Sequence, residues 1–276
     1  MFLMQRRERV SWPKRLLLLL MLVCIPFLLV SPHNMNAKML KDSENGTKIM
    51  VLNYHKIDNM NISLSVLPKD FEAQMEYLQK NNYHTITPDE LYESLAGTGS
   101  LPENPVLITF DDGYLDNYKN AYPILKKYGF KATIFVVTSF MGTQKNYLNW
   151  EQARELELNG ISIESHTVSH KSMTELNDDQ LRAELVDSKK SIEDHLGKRV
   201  DYIAYPTGTY NLHIAELVRE AGYKAAFTIK YGNVDKASNL YALERVPVFH
   251  TEDTFKSFLE RIHYVPVFER LGWIKS

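Results

Sequence analysis

The segment VLITFDDGYLDNY, residues 106–118, ends a run of strand-forming apolar residues in two adjacent carboxylates and a glycine: Asp111, Asp112 and Gly113. Neighbouring aspartates repel, and burying them unpaired is costly, so a positive charge is expected beside them. A second segment, ESHTVSH at 164–170, sets His166 and His170 four apart. That spacing turns two imidazoles to one side of a helical turn or tight loop. Two histidines and one carboxylate suit Zn²⁺ or another divalent first-row ion, with positions left open for water and substrate. Asp112 is the expected third ligand. Adjacent residues at a strand end point in different directions, so one aspartate can bind the ion while the other, close to its water, removes a proton. A dication would thus make the acidic pair tolerable. Alone, an H-x-x-x-H pair is most often an ordinary helix or core pair, and DDG is usually a turn; their joint appearance at the ends of separate strands argues for a site.

Short apolar runs alternate with longer amphipathic ones along the chain. KIMVLNY precedes PKDFEAQMEYLQKNN, PVLITF precedes YKNAYPILKKYG, and KATIFVV precedes NWEQARELELNG; ISIES, NDDQLRAELVDSKKSIEDHLG, DYIAYP, HIAELVREAGY and KAAFTI continue the series. Glycines 129, 160, 197 and 222 stop the helices. Strands apolar on both faces and joined by helices imply a parallel sheet. About seven such units between residues 48 and 276 favour an α/β fold, a distorted (β/α) barrel of about seven strands, over an open doubly wound sheet. No G-x-G-x-x-G follows the first strand.

In a parallel barrel, functional residues stand at the C-terminal strand ends. VLNY ends at His55, VLITF at Asp111 and Asp112, ISIES at His166 and YIAY at Pro206. Trp150, after the expected helix cap Asn149, is a candidate substrate contact. The 16 tyrosines could stack on sugar rings, although most read as core or surface.

The chain's ends differ in charge. Residues 1–15 carry a net +4, which leaves −6 on the remainder of a chain of net −2. A mildly acidic body argues against nucleic-acid binding. LLLLLMLVCIPFLLV, residues 16–30, then resembles the apolar core of an export signal. Residues 1–38 are read as a signal or uncleaved membrane anchor, with cleavage and secretion as the alternative, and residues 39–47 as a tether to the outer face of the membrane. Residues 48–276 are read as one catalytic domain, without a partner chain. Cys24, the only cysteine, lies in the apolar run, so any metal in the body must be held by His, Asp or Glu.

TFDDGY and SHTVSH resemble the first two motifs of the polysaccharide deacetylases, the NodB-homology or carbohydrate esterase family four. The resemblance covers nearly the whole body. It implies a metal-dependent site on a distorted (β/α) barrel that removes acetyl groups from N-acetylglucosamine or O-acetylated sugars. It makes Asp111 the base and Asp112, His166 and His170 the ligands of a divalent metal, zinc first, with cobalt or nickel as alternatives. The third motif, R-P-P-Y-G in that family, is represented by AYPTG, Ala204 to Gly208, followed by Tyr210. The resemblance assigns the Thr207 N–H to oxyanion stabilisation and leaves Pro206 and Tyr210 beside the substrate. Ala204 occupies the place of the arginine that steadies the base, and Arg245, in LERVPV, is the candidate replacement. His55, in NYHKI, resembles the general acid of the poly-N-acetylglucosamine deacetylase branch, in which the motif order is permuted; His250 and His263 are the alternatives.

The expected activity is removal of N-acetyl groups from acetylated polysaccharide of the cell envelope or matrix. Two rivals stand beside it: an esterase or amidase using the same site, and a carbohydrate-binding protein that has lost catalysis along with its motif arginine.

Overall fold

A computed structural model describes residues 48–270; the expected anchor, 1–38, and tether, 39–47, lie outside them. β1 (Met50–Tyr54) is followed by β2 (Lys56–Ile57), β3 (Ser65–Val66), α1 (Pro68–Lys80), β4 (His84–Thr85), α2 (Pro88–Leu95) and β5 (Pro105–Phe110). Then come α3 (Tyr122–Tyr128), β6 (Ala132–Val136), α4 (Trp150–Leu158), β7 (Ile161–Ser165), α5 (Asp178–Leu196) and β8 (Tyr202–Ala204). The series ends with α6 (Leu212–Glu220), β9 (Ala225–Tyr231), β10 (Leu243–Pro247) and α7 (Thr254–Arg270).

The order β1-β10-β9-β8-β7-β6-β5 returns to β1, and every pairing is parallel, so seven strands close a barrel as the alternation predicts. One edge of β5 pairs with β1 from Val106 to Phe110. Its other edge is divided between β4, at Pro105 and Val106, and β6, at Thr109 and Phe110. The strict alternation fails at the link from β9 to β10, which has no α-helix but a single 3₁₀ turn, Leu240–Ala242.

The two-residue strand period divides the core in two. Met50, Leu52, Tyr54, Val106, Ile108, Phe110, Ile134 and Ile163 belong to the larger cluster, packed with helix residues such as Phe71, Leu125 and Leu185. Alternate positions, Val51, Leu107, Phe135, Tyr202, Phe227 and Leu243, fill the barrel interior. Each fully buried Leu, Val, Ile or Phe contributes roughly 1.5–3 kcal/mol. Along three strands the interior positions turn polar towards the C-terminal end: Val51 then Asn53 on β1, with His55 just past it; Leu107 then Thr109 on β5, with Asp111 just past it; and Leu243 then Arg245 on β10. The chemistry therefore sits on top of an apolar plug.

Helix starts match their sequence signals. Thr87, Asn149 and Asn177 each accept a hydrogen bond from the backbone N–H three residues on, and Glu90, Gln152 and Gln180 reciprocate. Gly197 ends α5 in the left-handed conformation.

Candidate metal and active centre

Asp112, His166 and His170 converge. Asp112 Oδ1 lies 3.4 Å from His166 Nε2 and 3.2 Å from His170 Nε2, and the three donor atoms all fall within 4.8 Å of one another. Asp112 Oδ1 is buried and makes no hydrogen bond among the described residues, as expected of an atom built to meet a cation. His166 Nδ1 donates to the Ala204 carbonyl at 2.8 Å, which fixes the tautomer and leaves Nε2 free to ligate. Carboxylate and imidazole donors suit Zn²⁺, Co²⁺ or Ni²⁺, so the residues present fit the expected ion.

The backbone is bent to achieve this. Asp112, Thr167, His170 and Thr207 adopt φ of 75°, 68°, 60° and 56°, four of the six non-glycine positive values among the described residues. Strain of this kind collects at functional sites. Gly113, at φ 76°, completes the turn after the acidic pair; a Cβ there would stand 2.9 Å from Val136 Cγ1. The two histidines stand on a loop rather than a helix, and α5 holds that loop. Glu184 Oε2 accepts from the backbone N–H of Val168 at 2.7 Å and of Ser169 at 2.9 Å, while Oε1 accepts from the Ser169 hydroxyl.

Asp111 faces a different partner. Arg245 Nη1 donates to its Oδ1 at 2.8 Å and Nη2 to its Oδ2 at 2.6 Å. Arg245 also donates to the Thr228 carbonyl and to Thr109 Oγ1, and Asn53 Nδ2 adds a bond to Asp111 Oδ2 at 3.0 Å. Burial opposes the charge on Asp111, but the Arg245 guanidinium outweighs it and holds the carboxyl below its ordinary range. Asp112 is likewise penalised by burial, and the imidazoles of His166 and His170 bring it far below that range. Burial lowers the pKa of His55 despite both aspartates. Burial opposes the charge on His166, but the adjacent carboxylates of Asp112 and Asp111 outweigh it and raise the imidazole above its ordinary value.

A cleft of about 470 Å³ opens over these groups. His55, Asp111, Asp112, His166, His170 and Thr207 line it, and Leu64, Tyr205, Ile229, Pro247 and Phe249 form an apolar wall. Other expected contacts stand elsewhere. Trp150 stacks on His195 at 4.0 Å, a contact between α4 and α5, and Tyr210 stacks on Tyr205 from outside the cleft. Pro206 is buried and absent from the cleft lining. The His250 N–H donates to the Ser63 carbonyl, and His263 bonds the Tyr77 hydroxyl; neither lines the cleft. Asn53 and Glu184 went unnoticed in the sequence. Asn53 had a signal, a polar residue at interior parity between Val51 and His55.

The family model for polysaccharide deacetylases matches residues 98–226, a span that includes Asp111, Asp112, His166, His170 and Thr207 but neither His55 nor Arg245. The protein YxkH of Bacillus subtilis (strain 168), whose name assigns it provisionally to the polysaccharide deacetylases, is 42% identical over 206 residues, 75% of this chain and 73% of its own. A Staphylococcus aureus (strain N315) poly-β-1,6-N-acetyl-D-glucosamine N-deacetylase is 28% identical over 282 residues, 89% of this chain and 95% of its own. Among solved structures, the Streptococcus pyogenes deacetylase PplD in complex with acetate superposes with a TM-score of 0.75 at 30% identity, covering 79% of this chain and 100% of that one.

Proposed function

The chain belongs to the polysaccharide deacetylase family, and from that premise we propose that it is a metal-dependent hydrolase that removes N-acetyl groups from an N-acetylglucosamine-containing polysaccharide of the cell envelope or matrix. The observation that carries this reading is the meeting of Asp111, Asp112, His166, His170 and His55 in one cleft, with Arg245 held against Asp111. Among the described residues lining that cleft there is no lysine or arginine, which suits a neutral pyranose. The poly-β-1,6-N-acetyl-D-glucosamine deacetylase relative supports the same substrate class.

Asp112, His166 and His170 would hold a divalent ion, which would supply Lewis acidity towards the acetyl carbonyl and the attacking water. Asp111, ionised and oriented by Arg245 and Asn53, accepts the proton of that water. The Thr207 N–H steadies the charge developing on the carbonyl oxygen. His55 delivers a proton to the departing amine, without which the amide C–N bond breaks slowly. Acetate leaves, and the freed amine adds positive charge to the polymer.

The apolar segment 16–30 and the basic residues before it support placement of the catalytic domain, 48–276, at the outer face of a membrane. The deciding experiment incubates residues 48–276 with Zn²⁺, Co²⁺ or Ni²⁺ against poly-N-acetylglucosamine, chitin oligomers, peptidoglycan and acetylxylan, and measures released acetate. Release from the acetamide polymers is expected. Release from acetylxylan alone would make the protein an esterase, and metal content without turnover on any substrate would make it a binding protein.

A further inference from the structure

Between the acidic pair and α3 the sequence reads DNYKNAYP, residues 116–123. Pro123 lacks the N–H that would bond the Lys119 carbonyl if a regular α-helix ran through residues 117–128. The chain ahead of it winds as a π-helix, Asn117–Ala121, with the Tyr122 N–H donating to the Asn117 carbonyl. Such turns are rare and concentrate where they aim functional groups.

This turn aims three side chains at residues 55–57. Asn117 Nδ2 donates to the His55 carbonyl at 2.8 Å, the Ile57 N–H donates to Asp116 Oδ1 at 2.7 Å, and Asn120 Nδ2 donates to the Ile57 carbonyl at 2.6 Å. Lys56 Nζ reaches Asp116 Oδ2 at 2.7 Å and lies over the Tyr114 ring at 4.3 Å. The His55 ring has no comparable hold: its buried Nδ1 makes no hydrogen bond among the described residues. The placement of the imidazole is therefore set through its backbone.

We propose that Asn117, assisted by Asp116 and Asn120, is a positioning residue that fixes His55 over the cleft. The segment that follows the metal ligand Asp112 would then hold the proton donor in register with the ion. This inference rests on the reading of His55 as the proton donor.

A double-mutant cycle tests it. Asn117→Ala is made in the native protein and in His55→Ala, and kcat, KM and metal content are measured on an acetamide sugar. In the native background, kcat is expected to fall about tenfold to a hundredfold, because small displacements of a catalytic group are costly, while metal content and KM stay near native. In the His55→Ala background the same change is expected to cost nothing further. Asn120→Ala, which removes one bond, should show the same coupling with a smaller loss and serves if Asn117→Ala fails to fold. Equal losses in both backgrounds, or no loss from either asparagine, would overturn the clamp. An unimpaired His55→Ala would sink the reading of His55, and the clamp with it.

Discussion

Arg245 and Asp111 form a bidentate ion pair inside the barrel, 0% and 2% exposed at the side chain, although 134 residues separate them in sequence. Ala204 stands where a motif arginine is expected, yet the guanidinium arrives from another strand. The rival reading of a non-catalytic binder starts from that missing arginine; the pair shows that a guanidinium does meet Asp111, and turnover on the substrates named above decides between the two readings.

Arg245→Met leaves Asp111 buried without its cation, a change that typically costs about 3–5 kcal/mol. The native carboxyl is held below its ordinary pKa, so its stabilising contribution is present above the unfolded value and is lost as pH falls through the folded one. Chemical denaturation should therefore show the gap between native and variant widest near neutral pH and narrowing in acid. A gap independent of pH would contradict the ion-pair account.

Replacing His166 or His170 by alanine should remove the bound ion, as measured by elemental analysis of purified protein. Chelation of the native protein should abolish acetate release, and added Zn²⁺ should restore it. A stoichiometric ion retained by the double variant would disprove the ligand set.

Asp111→Asn should keep the ion and lose roughly 10²–10⁴-fold in turnover, the usual contribution of a general base. The pH profile of the native enzyme should be bell-shaped. Its acid limb should lie below the ordinary carboxylate range, because Arg245 lowers Asp111, and its alkaline limb below the ordinary imidazole value, because burial lowers His55. The limbs belong to the coupled site rather than to single groups. His55→Ala should lose more on an acetamide sugar than on an activated acetate ester, whose leaving group needs no proton; equal, small losses would make His55 merely structural.

Glu184→Gln should weaken metal affinity by about 10–100-fold, the usual cost of loosening groups that support ligands. The amide cannot present acceptors to all three donors of residues 168 and 169. Competition titration with a chromophoric chelator reads the change; unaltered affinity would show that the loop holds itself.

Much of this arrangement was legible because strand parity is strict. Val106 to Phe110 announce a strand, and Asp111 follows at interior parity; His55 extends β1 in the same way. The aromatic expectations fared differently. Trp150 and Tyr210 were named for sugar contact, but a flat ring packs equally well on His195 or Tyr205, and composition does not separate the two uses. Glu184 was hidden among the many acids of α5, since its partners are backbone N–H groups on a loop whose path the sequence does not reveal. The helix-free link between β9 and β10 lies beyond the strand–helix series, which ends at KAAFTI in β9.

The barrel closes where β1 meets β10, at Leu52 with Val246 and Asn53 with Pro247. During synthesis, Asp111 leaves the ribosome long before Arg245 exists, so the barrel remains open and its interior carboxylate lacks its counter-charge until nearly the whole domain has emerged. On the proposed mechanism, catalytic competence is thereby tied to synthesis of β10: a product released before residue 245 has His55, the acidic pair and both histidines, but neither a closed wall nor the guanidinium that would orient Asp111. If that mechanism holds, termination before residue 245 should yield inactive protein rather than a weakened enzyme.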